Sequence, residues 1–156
     1  MAIFMKKLLI GALLCAIAHT SFAKVPQFND YPAQIYSGKP AKLLLNNETA
    51  KLFRTRLSAS LSQKPVFAGE YVLTGWGCGA ECLSYTFVNK RTGQVVEKDF
   101  GGETGDEIIK YKLNSNLLVT RESVFDDEFN EIGSNTNFYI MKKNKLVLIQ
   151  KKPNKK

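Results

Sequence analysis

The sequence predicts an α+β domain, in which a mainly antiparallel sheet of about six to eight short strands carries one amphipathic helix on one face. Three observations support this fold class. Apolar residues recur at spacings of three and four between residues 46 and 64, and from Phe67 onward they alternate with polar residues. Short turn signals separate the alternating segments, as expected for strands that pair with their neighbours along the chain.

The first 23 residues have the pattern of a cleavable signal peptide. Lys6 and Lys7 precede an apolar run over residues 8–18, and small residues lead up to Ala23. The run is about 11 residues long, whereas a membrane-spanning helix needs about 20. We therefore expect cleavage after Ala23, no transmembrane anchor afterwards, and a periplasmic location, with secretion as the alternative. Residues 24–150 are predicted to form a single globular domain.

Cleavage would change which chemistry is available to the chain. The only histidine, His19, lies in the leader, so nucleophilic mechanisms based on a Ser–His or Cys–His pair are excluded. Loss of Lys6 and Lys7 lowers the 22 basic residues to 20 against 14 acidic ones, a net charge of +6. There is no glycine-rich phosphate loop and no metalloprotease helix motif. We expect no cofactor and no enzyme activity.

The helix is predicted over residues 46–64. Asn46 or Asn47 provides an N-cap, and Pro65 prevents the helix from continuing. One face of this helix is apolar, with Ala50, Phe53, Leu57 and Leu61 at spacings of three and four.

Two predicted strands, "FAGEYVLTGW" and "CLSYTFVN", flank a turn that contains Cys78 and Cys82. In an exported chain, two thiols so close in sequence favour a structural disulfide. A structural zinc site needs four ligands, and only two cysteines and no histidine remain after cleavage. A redox centre would usually have the spacing Cys-x-x-Cys at the start of a helix. The second strand has apolar residues on both faces, which predicts a central strand.

The turn also contains the only tryptophan, Trp76, and the sequence leaves its position open between the core and an exposed contact surface. A tryptophan on a rigid, braced turn would supply a large contact area at low entropic cost. The candidate binding residues are Trp76, Gly77, Gly79, Glu81, Glu70 and Tyr71.

Beyond the turn, "NKRTGQ" with Gly93 predicts a hairpin turn, and two more hairpins are predicted around residues 114–116 and 143–144. Residues 122–136 are predicted to form a polar acidic loop, anchored to the sheet by Phe125 and Phe129; whether it binds a cation stays open. Residues 151–156 are predicted to be a flexible basic tail. In an exported protein such a tail does not indicate nucleic-acid binding.

The run "PVFAGEYVLTGWGCGAECLSYTFVNKRTGQVV" resembles an uncharacterised family of small exported bacterial proteins. The shared pattern is Phe-Ala-Gly-x-Tyr, a short strand, Trp-Gly-Cys-Gly-x-x-Cys, and a hairpin with Thr-Gly, and the resemblance covers about residues 31–96. Relatives often have histidine at the position of Glu70. The resemblance implies an exported α+β domain with a disulfide, and it brings no activity with it.

These observations predict an exported, non-catalytic binding protein with a protein partner in the periplasm. An immunity or inhibitor protein against a toxin or hydrolase that acts on the cell envelope is one form of this function. The alternatives are a carboxylate-dependent cell-wall or carbohydrate-modifying enzyme, using Glu70, Glu81 or acids of residues 103–131, and a small-ligand-binding envelope protein.

Overall fold

Two antiparallel sheets and two short helices make up the fold in the computed structural model, which describes residues 24–80, 82–103 and 105–154. The first sheet has the order β1-β2-β3 and the second the order β4-β5-β6-β7. A 3₁₀ turn lies at Phe28–Asp30, and the helices are α1 (Glu48–Leu52) and α2 (Arg54–Ser60). The strands are β1 (Tyr71–Gly79), β2 (Cys82–Asn89), β3 (Phe100–Gly101), β4 (Glu107–Tyr111), β5 (Leu117–Phe125), β6 (Glu131–Lys142) and β7 (Lys145–Asn154). The predicted α+β class and mainly antiparallel pairing are confirmed, although strands dominate.

The prediction of one continuous helix is wrong. Asn47 caps α1 as expected, because its Oδ1 accepts a hydrogen bond of 2.8 Å from the amide of Ala50. The helix is interrupted at Phe53, where the backbone has φ −105° and ψ 24°. The ring of Phe53 lies flat against Trp76. The single predicted helix is thus two helices of five and seven residues.

The first sheet is the middle layer of the molecule and has a core on each face. One core joins it to the helices and contains Ala50, Leu57, Leu61, Val88 and Val95. The other joins it to the second sheet and contains Phe67, Ala68, Tyr71, Phe87, Val96, Phe100, Leu118 and Met141. Phe87 and Val88 are neighbours on β2, face opposite cores, and are both fully buried. Burial of each such side chain contributes about 1.5–3 kcal/mol, and the predicted central position of this strand is confirmed.

The predicted hairpin turn at residues 143–144 is confirmed. Lys143 and Asn144 both have positive φ, 51° and 62°, the geometry of a tight turn whose twist matches that of the paired strands. The turn connects β6 to β7 at the point where Lys142 pairs with Lys145.

The predicted acidic loop over residues 122–136 is wrong, because β5 and β6 continue through most of it. Only a short turn connects the two strands. Asp126 stabilises this turn, because its Oδ1 accepts hydrogen bonds from the backbone amides of Glu128 and Asn130. Phe125 and Phe129 do not anchor a loop, since their side chains are 37% and 81% exposed. Pairing across the two strands holds this segment in extended form.

Residues 151–154 also differ from the predicted flexible tail. They form the end of β7 and pair with residues 134–137 of β6. Lys151 lies 2.6 Å from a carboxylate oxygen of Glu122. Among the described helices, none is long and apolar enough to cross a membrane.

Candidate functional site

A disulfide-closed hairpin projects from one end of the first sheet. We use the name disulfide hairpin for residues 76–84, at the junction of β1 and β2. Cys78 and Cys82 form the predicted disulfide, with their Cα atoms 5.1 Å apart. Gly77, Cys78 and Gly79 are all exposed. Closing so short a loop constrains the unfolded chain by about 2 kcal/mol, so the bond serves mainly to fix the shape of the hairpin.

Trp76 anchors the base of this hairpin. Its side chain is 9% exposed, and its ring stacks on that of Phe53 with centroids 4.0 Å apart and an angle of 18° between the planes. The guanidinium of Arg56 donates a hydrogen bond of 2.9 Å to the carbonyl oxygen of Gly75. The structure therefore places Trp76 in the layer between helices and sheet. Of the two positions that the sequence left open, the core position is the one observed.

Leu83 is the large apolar side chain that the disulfide hairpin exposes. It lies directly opposite Gly77 in the strand register, and 55% of its surface is accessible. Gly77 has no side chain, and a Cβ atom placed on it would have no other atom within 4 Å. The residue opposite Leu83 therefore offers no side chain to cover the leucine. Sequence reasoning missed Leu83, although the register of the two strands across the glycines is the signal that would have identified it.

A concave site lies beside the hairpin, between the two sheets. We call it the tyrosine cleft; its volume is about 330 Å³, near the lower end of the range for ligand pockets. It is lined by Leu73, Tyr85, Gly101, Glu107, Ile108 and Tyr111. The ring of Tyr85 covers Gly75, since a Cβ atom there would come within 2.7 Å of that ring. Strands from both sheets thus contribute to one aromatic cleft.

Glu70 and Tyr71 do not join the hairpin residues. Tyr71 begins β1, about 16 Å from Trp76 at about 3.3 Å per residue, and Glu70 comes just before that strand. The Tyr71 hydroxyl donates a hydrogen bond of 2.6 Å to Oδ1 of Asn144, and Glu70 forms an ion pair of 2.6 Å with Arg91. Burial raises the pKa of Tyr71 to about 12. The first contact ties β1 to the β6–β7 turn, and the second ties Glu70 to the turn that follows β2.

Glu81, the remaining candidate, lies outside the described residues. Its neighbours Ala80 and Cys82 both belong to the disulfide hairpin. The tentative binding set therefore divides into hairpin residues at one end of β1 and structural residues at the other.

A network of two carboxylates lies on the inner face of the second sheet. The side-chain amide nitrogen of Asn137 lies 3.4 Å from a carboxylate oxygen of Asp106 and 3.2 Å from a carboxylate oxygen of Glu122. Asp106 also accepts hydrogen bonds of 2.8 Å from Thr120 and 3.3 Å from Tyr139. Two of the candidate acids of residues 103–131 thus share one donor.

Two side chains of this network have pKa values that differ from their usual ones. The hydrogen bond from Lys151 holds the pKa of Glu122 below its usual value, so Glu122 stays ionised at neutral pH. Burial, and then the charge of Asp106, raise the pKa of Tyr139 to about 12. In the described residues, no group of three or more His, Cys, Asp and Glu side chains could hold a metal ion.

No family model, no curated protein and no solved structure matches this chain.

Proposed function

We propose that this chain is an exported, non-catalytic binding protein that contacts a protein partner through the disulfide hairpin. The observation that carries the proposal is Leu83, a 55% exposed leucine on a hairpin that is closed by a disulfide at its tip. A leucine exposed alone on a surface needs no explanation, but one held on a rigid projection is a candidate contact.

Rigidity is the reason that the hairpin suits binding. The stack of Phe53 on Trp76 and the hydrogen bond from Arg56 hold its base, and the disulfide holds its tip. A contact surface fixed before binding loses less conformational entropy when the complex forms. In this proposal Trp76 supports the contact surface from below, and the partner touches Leu83 and the exposed backbone around Gly77.

The partner class we propose is an envelope-acting toxin or hydrolase, for which this chain would be an immunity or inhibitor protein. The predicted signal peptide would place the chain in the envelope, and its mature net charge of +6 would favour encounter with an acidic groove. A carboxylate-dependent enzyme receives less support. Asp106 and Glu122, the two acids that share a donor, are each already paired with a lysine.

The test is affinity capture with the oxidised, exported protein as bait, from periplasmic extract and from secreted fractions. Leu83→Asp is the test variant, and Ile132→Asp is its matched control, because Ile132 is 52% exposed and lies on β6, outside the disulfide hairpin. Circular dichroism confirms that both variants are folded.

We expect a single stoichiometric partner that binds wild type and Ile132→Asp equally. Leu83→Asp should weaken that binding by more than tenfold, since a buried interface leucine would become an unpaired charge. An equal loss of affinity in both variants would show that the hairpin is not part of the interface. If no partner is captured and the protein degrades purified sacculi, the binding function is wrong and the protein is an enzyme.

A further inference from the structure

We propose that the free edge of β7 is a second binding surface, at which an extended, acidic segment of a partner protein pairs as an added strand of the second sheet. The disulfide hairpin belongs to the first sheet and β7 to the second. The inference therefore does not depend on the partner proposed for the hairpin.

The backbone of β7 is paired on one side. This strand is the outermost one of the second sheet and runs over ten residues, Lys145–Asn154. Its partner is β6, and no other backbone group that the structure describes bonds to residues 145–154. In an edge strand, alternate N–H and C=O groups point away from the paired neighbour. The free edge of β7 is thus a row of donors and acceptors of the kind that an added strand binds.

The half of this edge that follows the β6–β7 turn is apolar and exposed. Residues 146–149 are Leu-Val-Leu-Ile, and the exposed fractions of residues 147–149 lie between 36% and 47%. Lysine and proline protect many edge strands from further pairing, and in β7 they are concentrated at residues 151–153. The register with β6 is regular from Lys145 to Leu148. An added strand would therefore pair first along this apolar half.

An added strand would contact apolar side chains on both faces of the sheet. Leu146 and Leu148 face the core between the sheets, because their cross-strand partners are Met141 and Tyr139. Val147 lies on the opposite face. Beside the start of β7 there is a groove of about 340 Å³, which gives room for side chains of the added strand. The groove is lined by Val96, Glu97, Lys98, Asn144, Lys145 and Leu146.

The charge of β7 favours an acidic segment. The strand contains three lysines and no acidic residue. Lys151 is paired with Glu122, whereas Lys145 and Lys152 form no ion pair with any residue that the structure describes. These two lysines lie near the two ends of the strand. The segment that fits has apolar residues in its middle and Asp or Glu near both ends.

The same lysines disfavour a second copy of this chain at the edge. Antiparallel pairing of two β7 strands about Leu148 would set Lys145 of one copy opposite Lys151 of the other. Like charges directly opposite each other destabilise a sheet. An anionic lipid surface matches the charge, but it has no regular row of donors and acceptors to pair with the free backbone groups.

The first experiment titrates the oxidised, exported protein with synthetic peptides and follows its backbone amide NMR signals. The acidic probe is acetyl-Asp-Val-Thr-Val-Val-Thr-Val-Asp-amide, and the control probe has lysine in place of both aspartates. The acidic probe should shift the signals of residues 145–150 and bind about tenfold more tightly than the control. Two further probes are N-methylated at alternate peptide bonds; the one whose methyl groups face β7 should lose binding, and the other should keep it. Equal binding of acidic and control probes, equal binding of the two methylated probes, or no shift at residues 145–150 would overturn the assignment.

The second experiment exchanges the charges. Lys145→Glu/Lys152→Glu should weaken binding of the acidic probe about tenfold and should bind the lysine-ended probe instead. The matched control is Lys110→Glu/Lys112→Glu, on and beside β4 at the opposite edge of the sheet, which should bind both probes like wild type. Leu83→Asp should also bind them like wild type, so failure of the hairpin interface and failure of this one are separate results. Unchanged affinity in the Lys145→Glu/Lys152→Glu variant would contradict the proposal.

Two control measurements test the other occupants. Sedimentation at increasing concentration should show no dimer whose amides at residues 145–150 exchange slowly; such a dimer would assign the edge to a second copy. Vesicles of phosphatidylglycerol and phosphatidylcholine should not displace the acidic probe, and displacement would assign the edge to a lipid surface.

Discussion

Replacing Trp76 by alanine tests whether the tryptophan supports the disulfide hairpin. The side chain is 9% exposed and stacks on Phe53 at 4.0 Å, so the variant loses a large buried surface and an aromatic pair. Truncation of a buried tryptophan costs about 3–5 kcal/mol, of which a stacked pair accounts for about 1 kcal/mol. We expect a loss of about 4 kcal/mol in the free energy of unfolding.

Urea unfolding followed by circular dichroism measures this loss, because the variant has no tryptophan fluorescence. With an m-value of about 2 kcal/mol per molar, the midpoint should fall by about 2 M urea. Phe53→Ala and the double variant complete a mutant cycle, whose coupling free energy should be about 1 kcal/mol. A loss below about 1 kcal/mol in Trp76→Ala, with no coupling to Phe53, would refute the anchoring role.

Three further predictions concern the disulfide, one glycine and one tyrosine. The double variant Cys78→Ser/Cys82→Ser should be about 2 kcal/mol less stable than the oxidised protein in urea unfolding, and a reductant should then have no further effect; equal stability would mean that the bond does not constrain the chain. Gly93→Ala should lose more than about 1 kcal/mol, because φ is +77° and the new Cβ atom would lie 1.9 Å from a main-chain oxygen; an unchanged thermal midpoint would contradict this geometry. Tyr71 has a pKa raised by burial from 10.0 to about 12, so its contribution to stability is fully present below pH 10 and is lost as the pH rises to about 12. Ultraviolet titration should show that Tyr71→Phe removes one late-titrating tyrosine, and loss of an early one would be the contrary result.

Features encoded over a few residues could be predicted from the sequence. The limits of β2, "CLSYTFVN", follow from alternation and turn signals, and the structure has this strand over Cys82–Asn89. The disulfide was expected from the cysteine spacing and from the predicted export, and the turn at Lys143 and Asn144 from local turn chemistry. In each case the deciding interactions lie within one hairpin.

Features decided by distant contacts were missed. The helix break at Phe53 accompanies its stack on Trp76, 23 residues later in the chain, and no local propensity indicates that contact. The strands over residues 122–136 are polar and acidic, so they resemble a loop until cross-strand pairs such as Arg121 with Glu131 are known.

The candidate site shows the same limit. Its hairpin was visible in the sequence, but its exposed residue was not, because exposure of Leu83 depends on the register that sets it opposite Gly77. The tyrosine cleft could not be predicted at all. Tyr85 and Tyr111 come from different sheets, and only the packing of one sheet on the other brings them together.

Hydrogen–deuterium exchange on the oxidised protein, alone and with its captured partner, tests the central claim most directly. If the disulfide hairpin is the contact surface, amide exchange over residues 77–84 should slow in the complex, while exchange around Ile132 on β6 stays unchanged. Slower exchange on the second sheet, with the hairpin unaffected, would contradict the account and move the interface to another face of the molecule.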